Sequence, residues 1–123
     1  METTKPSPDG QYAVMLVAEE MRMSHWLDLP ILYEVEGKRR LLDLSDSLWS
    51  ADSVAWSDDS RRVSLAMRRY PGDAPGVSVE IDIKTGMSRV FAPSESAILP
   101  LTELPGWLER YYASHHRRTD DLT

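Results

Sequence analysis

The stretch that decides the fold runs from Val54 to Tyr70 and reads V-A-W-S-D-D-S-R-R-V-S-L-A-M-R-R-Y. It contains two short apolar runs, Val54–Trp56 and Val63–Met67, on either side of the polar cluster Ser57–Ser60. Such a pattern is typical of a strand, a tight turn and a second strand. The small side chains within the second run predict that both faces of that strand lie close to other structure, because a strand with one solvated face would alternate with charged residues.

The same turn pattern occurs earlier in the chain. Ser7–Met15 aligns with Ser57–Leu65, fifty positions further along. Each copy is followed by two further strand patterns joined by a hairpin that contains a glycine, Gly37 in the first copy and Gly86 in the second. A fixed offset of this size between strand patterns indicates repeated four-stranded units.

Other segments complete a mainly β pattern. Val77–Ile83 alternates strictly between apolar and polar residues, which predicts a strand with one buried face. Residues 101–118 carry apolar side chains at helical spacing, including Leu104 and Leu108, and predict one helix. The expected fold is therefore mainly β, with two antiparallel blade-like sheets of about seven strands and one C-terminal α-helix.

The length of 123 residues fits a single domain, residues 1–123. Its expected parts are a disordered lead at 1–6, a connection at 24–30, a linker at 93–100, β-sheet repeats spanning 7–92 and a C-terminal helix at 101–118.

The repeated pattern resembles a known family. Val54–Val63, continued by Val79–Gly86, is similar to one TolB-type β-propeller repeat, in which an apolar residue and Trp precede Ser-Pro-Asp-Gly, a short apolar strand, and a strand that ends near Asp before a Thr-Gly turn. Ser7–Gly10 matches the turn in full, whereas the second copy has Asp58 for Pro and Ser60 for Gly. The resemblance implies blade architecture over residues 7–92 and carries no catalytic residues with it.

The number of strands leaves the closure of these sheets open. The first copy shows no opening strand, so three strands and then four are expected, fewer than a closed ring of about four blades requires. Either the sheets close in another way, with the helix as a cap, or subunits of a homo-oligomer combine to complete a ring.

Composition limits the classes of function. The formal net charge is −6, from 20 acidic against 14 basic residues, and phosphate recognition needs clustered Lys and Arg, so no nucleic-acid partner is predicted. No apolar run approaches the length of a membrane span. Cysteine is absent, which permits a reducing compartment. We therefore expect a cytoplasmic location without membrane contact.

The acidic residues are unevenly distributed. Five of them fall in a stretch without Lys or Arg, namely Asp43, Asp46, Asp52, Asp58 and Asp59. This stretch would steer a basic protein partner. The alternative interpretation is a solvated loop with turn-forming Asp residues.

The four tryptophans suggest where a partner would bind. Trp56 is predicted to lie in the core and Trp107 to dock the helix, whereas Trp26 and Trp49 fall in predicted connections. Trp49 is also expected to fold inward over the end of the sheet with its neighbour Leu48. The predicted partner-binding residues are Asp43, Asp46, Trp49, Asp52 and Trp26.

No residue pattern indicates catalysis. The chain lacks the motifs of a nucleophile elbow, a phosphate-binding loop or a zinc-binding helix. Only three histidines occur, and the adjacent His115 and His116 would point about 100° apart on a helix, so neither a metal site nor a cofactor is expected. The leading hypothesis is a non-catalytic protein-binding module of the bacterial inhibitor or immunity type. The alternatives are a lectin assembled from two-blade chains and a small hydrolase that uses the acids near Asp58.

Overall fold

The computed structural model describes residues 2–21, 25–71 and 75–121. Within these ranges the chain is mainly β, with two antiparallel sheets and one C-terminal helix, which confirms the fold class. The described residues form nine strands where about seven were expected. The strands are β1 (Glu2–Pro6), β2 (Tyr12–Glu20), β3 (Trp26–Glu34), β4 (Arg40–Asp43), β5 (Trp49–Trp56), β6 (Arg62–Arg69), β7 (Val77–Asp82), β8 (Met87–Phe91) and β9 (Ser96–Pro100), and the helix is α1 (Leu104–Asp121).

Each sheet follows the order of the chain. The first sheet has the order β1-β2-β3-β4 and the second the order β5-β6-β7-β8-β9, and every neighbouring pair is antiparallel. Short turns between consecutive strands produce this meander. The ladder between β5 and β6 contains a β-bulge between Ala51 and Ser53, so that Asp52 has no partner in the register.

The turn that begins the repeat in the first sheet is held by side-chain hydrogen bonds. Ser7 Oγ donates to Asp9 Oδ1 at 2.7 Å, and the Gln11 amide donates to the same oxygen at 3.0 Å. Gly10 has a φ of 74°, a left-handed conformation that glycine adopts without steric cost. The Ser-Pro-Asp-Gly sequence therefore specifies this turn locally.

The equivalent turn of the second sheet has the same geometry with different residues. Ser57 Oγ and the Arg61 amide donate to Asp59 Oδ1 at 2.6 and 3.0 Å. Ser60 takes the left-handed conformation with a φ of 61°, where the first turn has glycine. Ser60 Oγ also accepts a hydrogen bond from the Asp9 amide at 2.9 Å, so the two turns contact each other.

Strand β6 has one buried face and one face open to solvent. Val63, Leu65 and Met67 are buried, whereas Ser64 between them is exposed and Ala66 is half-buried. The expectation that both faces of this strand are covered is therefore not met. On the open face, Ala66 lines a shallow depression that is described below.

Residues 2–6 form a strand where a disordered lead at 1–6 was predicted, and Met1 lies outside the described residues. Strand β1 pairs with β2 from Glu2 opposite Val17 to Pro6 opposite Ala13, and backbone groups make this ladder without any apolar pattern in β1. The half-buried Trp56, predicted to lie in the core, donates its indole N–H to the Lys5 carbonyl at 2.9 Å. The first sheet thus has the opening strand that its sequence pattern does not show.

Two predicted connections also contain strands. In the segment predicted as a connection at 24–30, Ser24 lies outside the described residues and β3 begins at Trp26. Pro30 fits inside β3 because the pairing with β4 ends at Ile31, and Pro30 contributes only its carbonyl oxygen, to the Leu44 amide at 3.0 Å. The predicted linker at 93–100 contains the edge strand β9.

One apolar cluster joins the two sheets and the helix. Its buried members are Val14, Leu16, Leu32, Leu42 and Leu44 near the first sheet, Trp49, Ala51, Val63, Leu65, Met67, Val77, Val79, Ile81, Val90 and Leu99 in the second, and Leu101, Leu104, Leu108 and Tyr111 at the C-terminal end. A 3-10 turn at Leu101–Glu103 precedes α1. As expected, Trp107 packs against the cluster, and it stacks on Tyr111 with 5.5 Å between ring centroids. Among the described residues no helix has the length and apolar content needed to cross a membrane.

Candidate functional site

The five side chains predicted to contact a partner do not form one patch. Trp26 and Asp52 line the same surface depression, whereas Asp43, Asp46 and Trp49 do not line it. The candidate site is therefore built from the first two residues and the strands that carry them.

Trp49 is the first residue of β5 and lies inside the protein. Its relative exposure is 1%, and its indole N–H donates to Glu109 Oε2 on α1 at 2.8 Å. Trp49 is thus unavailable for contact with a partner, contrary to the prediction for it. The inward orientation over the end of the sheet, which the sequence also suggested, is the one observed.

Asp43 is the last residue of β4 and Asp46 lies in the turn between β4 and β5, and both are exposed. Asp43 accepts hydrogen bonds from the amide and hydroxyl of Ser45 and forms an ion pair with Arg40. Partial burial acts to raise the pKa of Asp43, but the bonds from Ser45 and Arg40 outweigh it and hold that pKa below its ordinary value. The role observed for Asp43 is local, because its carboxylate ties the end of β4 to the turn that follows.

Trp26 stands at the start of β3 with 58% of its surface exposed. The depression beside it has a volume of about 430 Å³ and is also lined by Ser50 of β5 and by Tyr70. The Asp28 amide donates to Ser50 Oγ at 2.9 Å, which holds the beginning of β3 against β5. A rigid exposed indole beside a concave surface is a common anchor for binding.

Asp52 lies on the other side of this depression. The β-bulge places it outside the ladder, where it faces Arg68 of β6. Arg68 donates from Nε to Asp52 Oδ2 at 2.8 Å and from Nη2 to Oδ1 at 3.3 Å, a two-bond pairing of guanidinium and carboxylate. The hydrogen bond that Arg68 donates to Asp52, together with the negative charge of that carboxylate, raises the pKa of Arg68 above its ordinary value.

A second depression continues from the same ion pair across the second sheet. It has a volume of about 420 Å³ and shares Asp52 and Arg68 with the first. Its floor includes Ala66 and Ser78, which lie opposite each other in the ladder between β6 and β7, and Ser78 in turn lies opposite Phe91 of β8. Phe91 is 49% exposed.

The two depressions share the Asp52–Arg68 ion pair, and we call the groove that they make up together the Trp26–Phe91 surface. It consists of Trp26, Ser50, Asp52, Ala66, Arg68, Ser78 and Phe91. An exposed aromatic residue lies at each end, small side chains form the floor, and the Asp52–Arg68 ion pair lies between the two depressions. Ile98 of β9, 63% exposed, is on the same face of the second sheet as Phe91, because Ser96 lies opposite Phe91 and Ile98 follows two residues later.

A third depression, of about 570 Å³, lies between two turns of the first sheet. It is lined by Gly10 and Gln11 of one turn and by residues 34–37 of the other, and it includes no aromatic side chain. The few residues that dominate the binding energy of protein interfaces are enriched in Trp, Tyr and Arg, and none of these lines the third depression. The Trp26–Phe91 surface is therefore the better candidate for a contact site.

The acids considered for hydrolysis lie in the second repeat turn. The hydrogen bond from the Ser57 hydroxyl, followed by that from the Arg61 amide, lowers the pKa of Asp59 below its ordinary value. A general acid at neutral pH needs a raised pKa. The geometry around Asp58 and Asp59 thus corresponds to a structural turn.

No group of three or more metal-binding side chains comes together in the described residues. The His116 side chain lies outside them. His115 packs against Tyr111 with 4.2 Å between ring centroids, and its Nδ1 lies 2.9 Å from the Tyr111 carbonyl oxygen.

Arg68 and Phe91 belong to the surface but were not predicted from the sequence. Phe91 falls on the face opposite the buried Val90, but both residues are apolar, so the residue pattern of this strand does not indicate which of the two is exposed. For Arg68 the decisive feature is the bulge at Asp52, which the residue pattern does not reveal.

Comparison of the chain with protein-family models, with curated proteins and with solved structures finds no match in any of the three. The functional argument therefore depends on the site itself.

Proposed function

We propose that this protein is a non-catalytic binding module that recognises a protein partner through the Trp26–Phe91 surface. The observation that carries the proposal is the position of the exposed apolar side chains. Of the four large hydrophobic residues exposed in the described chain, Trp26 and Phe91 lie in the groove and Ile98 lies on the same sheet face as Phe91; only Val35 is elsewhere. Exposed apolar residues grouped on one surface with a polar surround are characteristic of interaction sites.

The proposal includes the biological setting predicted from the sequence. The repeated turns and meander sheets are compatible with two TolB-type blade units that act as a scaffold for contacts. An inhibitor or immunity-type role and a cytoplasmic location belong to the same proposal. The size of the chain and the absence of cysteine support them.

Site-specific photo-crosslinking tests the proposal directly. A benzophenone amino acid is placed at Trp26 or at Phe91, and in a control chain at Val35, which is exposed outside the groove. We expect the same protein to be crosslinked from Trp26 and from Phe91 in native lysate, and not from Val35. Equal crosslinking from all three positions, or none from the first two, would contradict the assigned surface.

A second candidate function is recognition of a saccharide. It is favoured by one observation, the exposed indole of Trp26 beside a depression that also carries the paired Asp52 and Arg68 side chains. Sugars stack on aromatic rings and hydrogen-bond to such polar pairs. Quenching of Trp26 fluorescence by a panel of neutral oligosaccharides would support this candidate, and unchanged fluorescence across the panel would remove it.

A further inference from the structure

Trp26 stands between two exposed carboxylates on one face of the first sheet. Glu20 lies directly opposite Trp26 in the ladder between β2 and β3, and Asp28 follows Trp26 by two residues on the same strand. Both relations place side chains on the same face, with Cβ atoms about 5 Å apart across the strands and about 7 Å apart along one strand. The indole ring therefore has a negative charge on each of two sides.

Neither of these carboxylates is neutralised within the described residues. The Glu20 and Asp28 side chains make no hydrogen bond or ion pair there, whereas Asp52 pairs with Arg68 and Glu109 pairs with Arg69. The two arginines that line the depression are thus already matched. Within the part of the chain that the structure describes, the unmatched charge beside Trp26 is therefore negative, and the net charge of the whole chain is negative too.

We propose that the partner presents an extended segment whose Lys or Arg side chain lies on Trp26 between Glu20 and Asp28, an inference that rests on the protein-binding function proposed above. A cation on the face of an indole is attracted by the electron density of the ring. The two carboxylates add charge-assisted hydrogen bonds to the same cation. An acidic segment would instead meet like charges at this end of the groove.

The rest of the groove fits the backbone of such a segment. Ser53, which lines neither depression, lies opposite Ala66 in the ladder, and Ala66, Ser78 and Phe91 of the groove follow one another across β6 to β8. Three strand spacings of about 4.8 Å give roughly 14 Å from Ser53 to Phe91, which about four extended residues span. The small side chains of this row leave room for main chain, and Phe91 provides an apolar contact at the far end.

A displayed library of random octapeptides, selected on the full chain and counter-selected on the Trp26→Ala variant, tests this inference. We expect the enriched peptides to share a Lys or Arg and an apolar residue that are separated by at least four positions. Replacing that basic residue by Gln, or replacing the protein carboxylates in the double variant E20Q/D28N, should weaken binding about fivefold to tenfold. The control double variant D46N/E36Q makes the same change in net charge at exposed positions outside the groove and should bind nearly as the wild type does.

The outcomes separate this inference from the function on which it rests. The enriched peptides could require Trp26 and still bind after loss of their basic residue or of both protein carboxylates. That result would contradict the proposed basic segment but would still support the Trp26–Phe91 surface as a binding site. Peptides that bind the wild type and Trp26→Ala equally, or no enrichment at all, would count against the surface itself. Equal weakening by the control variant would show a general charge effect and would also overturn the inference.

Discussion

Trp49 is buried and Trp26 is exposed, so truncating Trp49 should lower the free energy of unfolding much more than truncating Trp26. Trp49 is buried and its indole N–H is bonded to Glu109, so Trp49→Ala removes a large apolar side chain and leaves a cavity. We expect a loss of about 3 to 5 kcal/mol in the free energy of unfolding. Trp26 is 58% exposed, and Trp26→Ala should change that energy by about 0.5 kcal/mol or less. Urea unfolding followed by circular dichroism measures both, and similar losses in the two variants would contradict these assignments.

The sequence suggested that Trp49 folds inward, but it did not separate the two residues as binding candidates, because each lies beside a short polar segment. What buries Trp49 is contact with a helix sixty residues away, where Glu109 accepts its indole proton. What exposes Trp26 is its place at the start of β3, beside β5. Neither relation appears in the residues that adjoin the tryptophans. For Asp52, by contrast, the sequence suggested a surface role and the structure places it in the groove.

Two glycines should respond with opposite signs to the same substitution. Gly10 has a φ of 74° and no atom near the position of an added Cβ, so Gly10→Ala should cost about 1 to 2 kcal/mol from backbone strain alone. Gly106 lies in α1, where an added Cβ would meet only the flexible end of Arg110. Gly106→Ala should stabilise the protein by up to about 1 kcal/mol. Thermal unfolding of the two variants provides the comparison, and a shift of both midpoints in one direction would disprove it.

Elements whose own residues specify their conformation were predictable from the sequence. Strands that are placed only by backbone pairing with a neighbouring strand were not. The repeat turns are specified by Ser, Asp and a residue that takes a positive φ, and both were located from the sequence. Strand β1 has no apolar periodicity, because backbone pairing with β2 places it in the sheet. Strand β9 is bounded by prolines and exposes Ile98, so its residue pattern resembles that of a linker. Only its pairing with β8 shows that it is a strand.

One carboxylate of helix α1 bonds to two side chains of the second sheet. Glu109 accepts hydrogen bonds from Arg69 Nε and Nη2, each at 3.1 Å, and from Trp49 Nε1. The bond from Arg69 is the main cause that holds the pKa of Glu109 below its ordinary value, and partial burial opposes it. The Arg69 guanidinium also lies 3.8 Å from the centre of the Tyr112 ring.

This contact should make stability depend on pH in the acid range. A carboxyl group whose pKa is lower in the folded state binds its proton more weakly there than in the unfolded chain. Its contribution is therefore present above the ordinary pKa and is lost as pH falls through the folded value. We expect Glu109→Gln to be less stable than the wild type at neutral pH and to lose less stability between about pH 5 and pH 3. Urea unfolding across that range measures the difference.

Glu103→Gln serves as the control, because Glu103 is exposed in the 3-10 turn next to α1 and makes no ion pair within the described chain. Its stability curve should run parallel to that of the wild type. If the Glu109→Gln curve did the same, the contribution assigned to the contact with Arg69 would be absent.

At the scale of the whole molecule, the repeat shows which sheet face is closed and which is open. Val14 and Leu16 belong to the apolar cluster of the first sheet, and their equivalents fifty residues later are Ser64 and Ala66 on the open face of the second. That open face also carries Arg62 and Arg89, both exposed. For another sheet to pack on the open face of the second sheet, the residues on that face would have to be apolar. They are instead small or charged.

Ring completion by further copies would bury these polar groups. The free-energy cost of burying charges without partners exceeds the free energy gained by packing the small side chains. We therefore expect the wild type to be a monomer in solution. The double variant S64V/A66L restores apolar side chains at the equivalents of Val14 and Leu16 and should raise self-association at the same concentration. Analytical ultracentrifugation distinguishes the two chains. A wild-type mass above that of one 123-residue chain would show instead that the open face is already an interface between copies, and the groove on it would then have to be assigned to assembly before any partner.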